Sequence, residues 1–224
     1  MNIIAIETST EYLSLAVARD GHITSRSLLA GQRHAELLLD ELDALLAQAK
    51  VVMSGVDAIA FGAGPGSFTG LRIACGSAQG LALACGVPLI AVGSLESLAQ
   101  SAQADKVVAC LDARMGEVYH GAYARRRDGG WDEVCPPGLF APESVPALRG
   151  DGWTGCGSGF AVHGVSLQQR YGGALAGVKP GLFPDAASML QLAMPRFLDG
   201  GAMDAALAAP LYVRDKVALK TNER

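Results

Sequence analysis

The sequence predicts an α/β fold made of two copies of one plan, and three observations carry that prediction. First, the apolar runs Ile3–Ile6 and Leu13–Ala18 are separated by the polar "ETST", and the second run reaches Asp20-Gly21, a strong hairpin dipeptide. Second, apolar residues then recur at helical spacing, and strand-like and helix-like tracts alternate as far as Gln103. Third, the chain begins again at Val107, where "VVACLDARMGEVYHGAYARRRDGG" repeats the series apolar strand, acid, polar turn, strand, Asp-Gly.

Taken in order, His22–Leu29 is the third strand, and Leu38, Leu42, Leu45 and Ala49 mark the first amphipathic helix inside "HAELLLDELDALLAQA". Val56–Phe61 reads as a buried strand, Gly70–Cys85 as a helix and Leu89–Val92 as a strand after Pro88. Ser94–Gln103 reads as a helix with Ser94 as N-cap. Setting Asp112 against Glu7 aligns Leu111 with Ile6 and Val118 with Leu13, although the second Asp-Gly pair arrives three residues later. Duplicated β-β-β-α-β-α-β-α halves, each with an acid where its first strand ends, are the plan of the actin, sugar-kinase and heat-shock ATPase superfamily, whose sheets are ribonuclease H-like. The second half reads as eroded: "CPPGLFAPESVP" and "GDGWTGCGSGF" look like loops, and helical periodicity returns mainly over Ala186–Leu198. The expected division is a subdomain over 1–104, a smaller one over 105–214, and a charged tail over 215–224.

Composition narrows the function classes. Half of the 224 residues are hydrophobic, enough for one sizeable core or two small ones. The longest mostly apolar stretch, Leu81–Val92, is broken by Gly86 and Pro88 and is too short to span a bilayer. The N-terminus has no basic leader, so a cytoplasmic location is expected. Five cysteines, widely spaced and without a C-x-x-C pair, fit neither a disulfide framework nor a zinc knuckle. A net charge of −4 lacks the basic footprint of an autonomous nucleic-acid binder.

Gly62–Arg72, "GAGPGSFTGLR", raises the question of a phosphate loop. It contains no lysine and no glycine pair at Walker spacing, and both G-x-G-x-x-G registers fail, at Ser67 and at Thr69. The loop is read instead as structural: Gly64 and Gly66 allow a tight turn, and Ser67 or Thr69 caps the next helix. In that helix Gly70, Ala74, Ala78 and Ala82 recur every four residues and Gly76 pairs with Gly80, so two faces are nearly bare and another helix can approach closely. Residue types leave open whether that helix belongs to this chain.

"IAIETST", "RHAELLLDEL", "GPGSFTGLRIA", "PLIAVGSLESLA", "LDARMGEVY" and "PLYVR" together resemble the TsaB (YeaZ) family. The resemblance implies a non-catalytic paralogue of TsaD that pairs with TsaD and TsaE. That assembly installs threonylcarbamoyl on N6 of the adenosine beside the anticodon, in tRNAs reading codons that begin with A. It implies no cofactor of the chain's own, ATP and metal being held by or shared with partner subunits, tRNA met only through the complex, and a homodimer when TsaD is absent. TsaD carries a metal-binding H-x-x-x-H, because two histidines four apart share a helix face; the matching slots here are Ser94 and Leu98. Neither is an imidazole. Glu7 stands where many members have aspartate, and Ala35 replaces a serine. The expected contact face is Arg33, His34, Leu38 and Leu42 on the first helix with Gly70, Leu71, Ala74, Ala78, Leu81 and Ala82 on the second. On that reading Ala78→Arg would abolish pairing and leave the fold intact.

Other classes compete. A small-molecule kinase or ATPase of the same superfamily needs phosphate loops in both halves, and "GCGSG" at Gly155–Gly159 is the only second candidate. A magnesium pair of Glu7 and Asp112 is set aside, since an acid at a strand end equally accepts turn hydrogen bonds. A metallopeptidase lacks its histidines. Direct RNA binding rests on Arg125–Arg127 alone, which reads as a solvated hairpin end.

Overall fold

The computed structural model describes residues 1–214; the expected charged tail lies outside the described residues. The first sheet contains β1 (Asn2–Glu7), β2 (Tyr12–Arg19), β3 (His22–Leu29), β4 (Ala58–Gly64) and β5 (Leu89–Gly93) in the order β3-β2-β1-β4-β5. The second contains β6 (Lys106–Asp112), β7 (Val118–Arg125), β8 (Trp131–Phe140), β9 (Trp153–Cys156) and β10 (Leu175–Lys179) in the order β10-β9-β6-β7-β8. In each, the first three strands are antiparallel and the last two add on in parallel, so the two topologies are the same. The duplicated actin-like plan is therefore present in both halves.

Among the described residues five helices pack on these sheets: α1 (His34–Ala49), α2 (Phe68–Cys85), α3 (Ser94–Ser101), α4 (Ser158–Tyr171) and α5 (Ala186–Leu198). α1 and α2 cover one face of the first sheet, burying Leu38, Leu42 and Leu45 against Ile4, Ile6 and Leu15. α3 and α5 lie between the sheets, where Leu95, Leu98, Met189 and Leu190 meet Ile3 and Val92 on one side and Val107 and Leu111 on the other. α4 closes the outer face of the second sheet through Phe160, Leu167 and Tyr171.

The erosion of the second half is confined to its helices. A single 3-10 turn, Pro142–Ser144, stands where the first half has the four-turn α1, while the sheet keeps all five strands. "CPPGLF" is not a loop: it lies in β8, an edge strand where Pro136 and Pro137 interrupt no further ladder. "WTGC" is β9, whose Gly155 leaves room for the Phe160 ring pressed against it. The proposed alignment of the halves is off by one beyond the first strands. Glu7 pairs with Ser14 but Asp112 pairs with Val118, because the second turn is one residue shorter. Asp20 and Gly21 both adopt positive φ, as their hairpin turn requires. Ser94 is the first residue of α3 and not its cap, which is Gly93.

His120 is buried on β7 between the rings of Phe140 and Tyr171, with centroids 5.8 and 6.4 Å away, and neither of its ring nitrogens has a protein partner among the described residues. Burial penalises the imidazolium and lowers its pKa from 6.5 to about 4. The unfolded chain takes up this proton at the ordinary value while the folded chain refuses it, so the contribution is complete above pH 6.5 and is lost as pH falls towards 4. His120→Leu is expected to flatten unfolding free energy against pH over that interval by about 3 kcal/mol, measured by urea unfolding across a pH series.

Candidate functional site

α2 presents three faces, each with a different neighbour. Successive residues turn by about 100°, so Gly70, Leu71, Ala74, Ala78 and Ala82 form one stripe. That stripe is buried within this same chain, Ala74, Ala78 and Ala82 against the first sheet, Gly70 against the Thr8 carbonyl and Leu71 against Gly64. A second stripe, Phe68, Arg72, Cys75 and Gln79, lies under the segment after α5: Gln79 Nε2 donates to the carbonyls of Ala205 and Ala208 at 3.0 and 3.2 Å, and Arg72 Nε donates to the Tyr212 hydroxyl at 3.0 Å. The third stripe, Gly76, Gly80 and Leu83, faces outward, with Leu83 70% exposed and nothing among the described residues within 4 Å of a Cβ built on either glycine.

This arrangement corrects the expected contact face. Of its ten residues, His34, Leu38, Leu42, Gly70, Leu71, Ala74, Ala78 and Ala82 are buried within the chain, Leu81 is half-buried, and Arg33 is exposed. His34 opens α1 with its ring N–H donating to the Tyr12 carbonyl at 3.2 Å. The physical reason is that a four-residue spacing of small side chains suits close packing on a sheet as well as on a helix. The exposed counterpart on α1 is Glu36, Leu39, Asp40 and Asp43, an acidic stripe around a leucine that is 58% exposed.

The glycine loop is filled by the turn after β1. A Cβ at Gly66 would lie 2.6 Å from Ser9, one at Gly64 2.9 Å from the Leu211 carbonyl, and one at Gly70 would collide with the Thr8 carbonyl. Ser67 N–H donates to the Ser9 carbonyl at 2.7 Å, and Ser67 Oγ accepts from Gly70 N–H at 3.4 Å, capping α2; Thr69 is exposed. The second candidate loop is equally packed, with Gly157 and Gly159 against the Cys110 backbone and side chain.

The two acids accept the same turn bond and then diverge. Glu7 accepts from Ser9 N–H at 2.5 Å and Asp112 from Arg114 N–H at 3.2 Å, each two residues on. Glu7 is sealed by Gly62 and receives Ser94 Oγ–H at 3.2 Å, and burial lifts its carboxyl above the usual carboxylate range in spite of the Ser9 and Ser94 bonds. Asp112 instead borders a cleft of about 450 Å³ between the halves, with His163 Nε2 at 3.3 Å and Arg114 at 3.7 Å. Ser9, Thr10, Gly66, Ser67, Tyr119, Ser158 and Arg214 also line it. Sequence reasoning did not assign this cleft; its signal was the repeated acid-and-turn pattern with "LDARMGEVY" and "PLYVR".

The two positions set against the metal histidines carry side chains engaged elsewhere. Ser94 is buried on Glu7, and Leu98 is in the core between the sheets. Among the described residues no group of three or more His, Cys, Asp or Glu could hold a metal ion, and no helix is long and apolar enough to cross a membrane. Arg125–Arg127 begins at the β7–β8 hairpin, where Arg126 pairs with Asp128 and Arg125 stacks 3.9 Å from the Trp131 ring centre. One arginine of the three therefore has an aromatic partner that the sequence reading did not assign to it.

These placements separate two substitutions on one helix. Ala78→Arg, on the sheet side, is expected to destabilise the fold by about 4 kcal/mol or more, because it forces a charge into a packed core. Gly76→Ala, on the open side, is expected to stabilise it by up to about 1 kcal/mol. Thermal and urea unfolding of the two variants checks both signs.

The comparisons agree with one another. Residues 27–149 match the family model described as TsaD, tRNA N6-adenosine threonylcarbamoyltransferase. The chain is 36% identical to the tRNA threonylcarbamoyladenosine biosynthesis protein TsaB of Escherichia coli K12, over 98% of this chain and 97% of that one. It is 35% identical to the TsaB of Haemophilus influenzae, over 98% and 96%. The solved structure of YeaZ from Pseudomonas aeruginosa superposes with a TM-score of 0.86 at 38% identity, covering 94% of this chain and 99% of that one. On full-length identity, matching architecture and the motifs that line the cleft, the chain belongs to the TsaB (YeaZ) family.

Proposed function

We propose that this chain acts in tRNA threonylcarbamoyladenosine biosynthesis as the non-catalytic subunit that binds and activates TsaD, within an assembly that includes TsaE and transfers threonylcarbamoyl to N6 of the adenosine beside the anticodon. The observation that carries the non-catalytic assignment is the content of the two metal slots. The TsaD family match crosses Ser94 and Leu98, and these side chains are a buried hydroxyl on Glu7 and a core leucine. Neither is free to take a ligand. ATP and metal chemistry accordingly belongs to partner subunits, and tRNA meets this chain through the complex.

The surface that fits a partner is the outward stripe of α2, Gly76, Gly80 and Leu83, beside the acidic stripe of α1. Two glycines a turn apart let a partner backbone come close, and Glu36, Asp40 and Asp43 favour a basic neighbour. In the absence of TsaD the same surface would pair two copies of this chain. A cleft of about 450 Å³ bordered by Asp112 gives the superfamily's ATPase reading its one specific observation.

The test is threonylcarbamoyl transfer to tRNA by TsaD, TsaE and the enzyme that makes the threonylcarbamoyl adenylate, with and without this chain, alongside size-exclusion analysis with TsaD. Transfer is expected to depend on the chain and to be lost, together with co-elution, in Gly80→Arg, whose unfolding midpoint stays at or above the wild-type value. Full transfer without the chain, or ATP hydrolysis by the isolated chain, would replace this reading with an enzymatic one.

A further inference from the structure

After α5 the chain runs back along the first half and then leaves it. Met203 pairs with Leu89 at the end of the first sheet, with N···O distances of 2.8 and 2.9 Å in the two directions. Leu211 N–H donates to the Ala63 carbonyl at 2.7 Å, and the Tyr212 ring lies 5.3 Å from Phe68 while its hydroxyl accepts from Arg72. Two residues later Arg214 engages the second half. Its guanidinium donates to the Ala113 carbonyl at 3.0 Å and to Glu117 Oε2 at 2.6 Å, and lies 3.1 Å from Met115 Sδ, with 13% of the side chain exposed.

Both anchor points border the cleft. Gly66 and Phe68 on one side and Ala113, Met115 and Arg214 on the other are among its lining residues. The turn that Arg214 grips is held in an unfavourable conformation: Arg114 and Met115 have φ of 62° and 56°, in the left-handed region that non-glycine residues rarely adopt. Such a turn persists where its surroundings over-determine it. Arg214 supplies that constraint through a carbonyl, a carboxylate and a sulfur from three residues of one turn. A planar fork with fixed donors suits this task better than a lysine ammonium.

We infer that residues 209–214 form a strap that sets the opening of the cleft, with Arg214 as the latch on the second half and Leu211 and Tyr212 as the anchor on the first. Arg214 is a positioning residue: it holds the 113–117 turn in place against the first half. The inference concerns the isolated chain and does not depend on the partner proposed above.

Hydrogen–deuterium exchange of the full chain tests it, comparing wild type with Arg214→Ala, Arg214→Lys and Glu117→Gln. Leu167→Ala, in the core under α4, serves as a control for general destabilisation. Arg214→Ala is expected to speed exchange by about tenfold or more at 113–117 and also across the cleft at 8–10 and 66–68. Arg214→Lys and Glu117→Gln are expected to give smaller increases at the same segments, and Leu167→Ala to leave that pattern absent. Faster exchange confined to 211–214, no change across the cleft, or a profile identical to that of Leu167→Ala would each overturn the strap.

Discussion

Everything else in this protein depends on one apolar layer shared by two sheets. α3 is pressed between β4 and β5 on one side and β6 and β7 on the other, and α5 lies on β1, β2 and β5 with α3 beside it. Their residues toward the sheets are small or medium, with Ala99, Ala186 and Ala193 fully buried, so the sheets come close enough to share a core. α5 comes from the second half of the chain yet packs on the strands of the first, and α3 comes from the first yet packs on β6 and β7, so neither half has a complete core without the other. The strands of the two sheets separate between Gly93 and Lys106, but the core does not divide there.

Duplication supplies two equivalent turns, and the pair shows how one plan can diverge. Glu7 and Asp112 stand at the same place in their sheets and accept the same local bond. Their neighbours set them apart. Gly62 and Ser94 close over Glu7, whose burial then penalises its charge, whereas Asp112 keeps an aqueous side and two cationic or basic neighbours. One acid has become structural and the other lines the cleft. The glycine loop belongs to the structural member: its glycines are spaced for the backbone of Thr8 and Ser9, which occupies the concavity that an anion would need.

The division of α2 into sheet, strap and open faces explains its composition. A helix that lies against β4 has little room for large side chains on that face, while Phe68, Arg72 and Gln79 on its second face meet the returning chain. Its glycines and alanines are therefore of two kinds. Gly70 is demanded by the Thr8 carbonyl, while Gly76 and Gly80 meet nothing among the described residues and retain the propensity cost of glycine in a helix, about 1 kcal/mol each.

The order of elements in the first half, both Asp-Gly hairpins, the bounds of α5 and the missing histidine pair were legible in the sequence, because each rests on local spacing and local residue type, whereas α4 and β10 went unassigned. The edge strand β8 was not, since Pro136 and Pro137 carry a breaker signal that only its place at the edge of the sheet neutralises. The one-residue shift between the halves was hidden for a similar reason: register is set by pairing across strands and not along them. Residue order alone thus specifies an α/β duplication with an acid at each first-strand end and a helix lined with small residues. Long-range packing selects the stripe of that helix that faces inward and brings three separated motifs to one cleft. Periodicity specifies a face relative to its own helix axis, but the neighbour of that face is chosen by contacts between residues far apart in the chain.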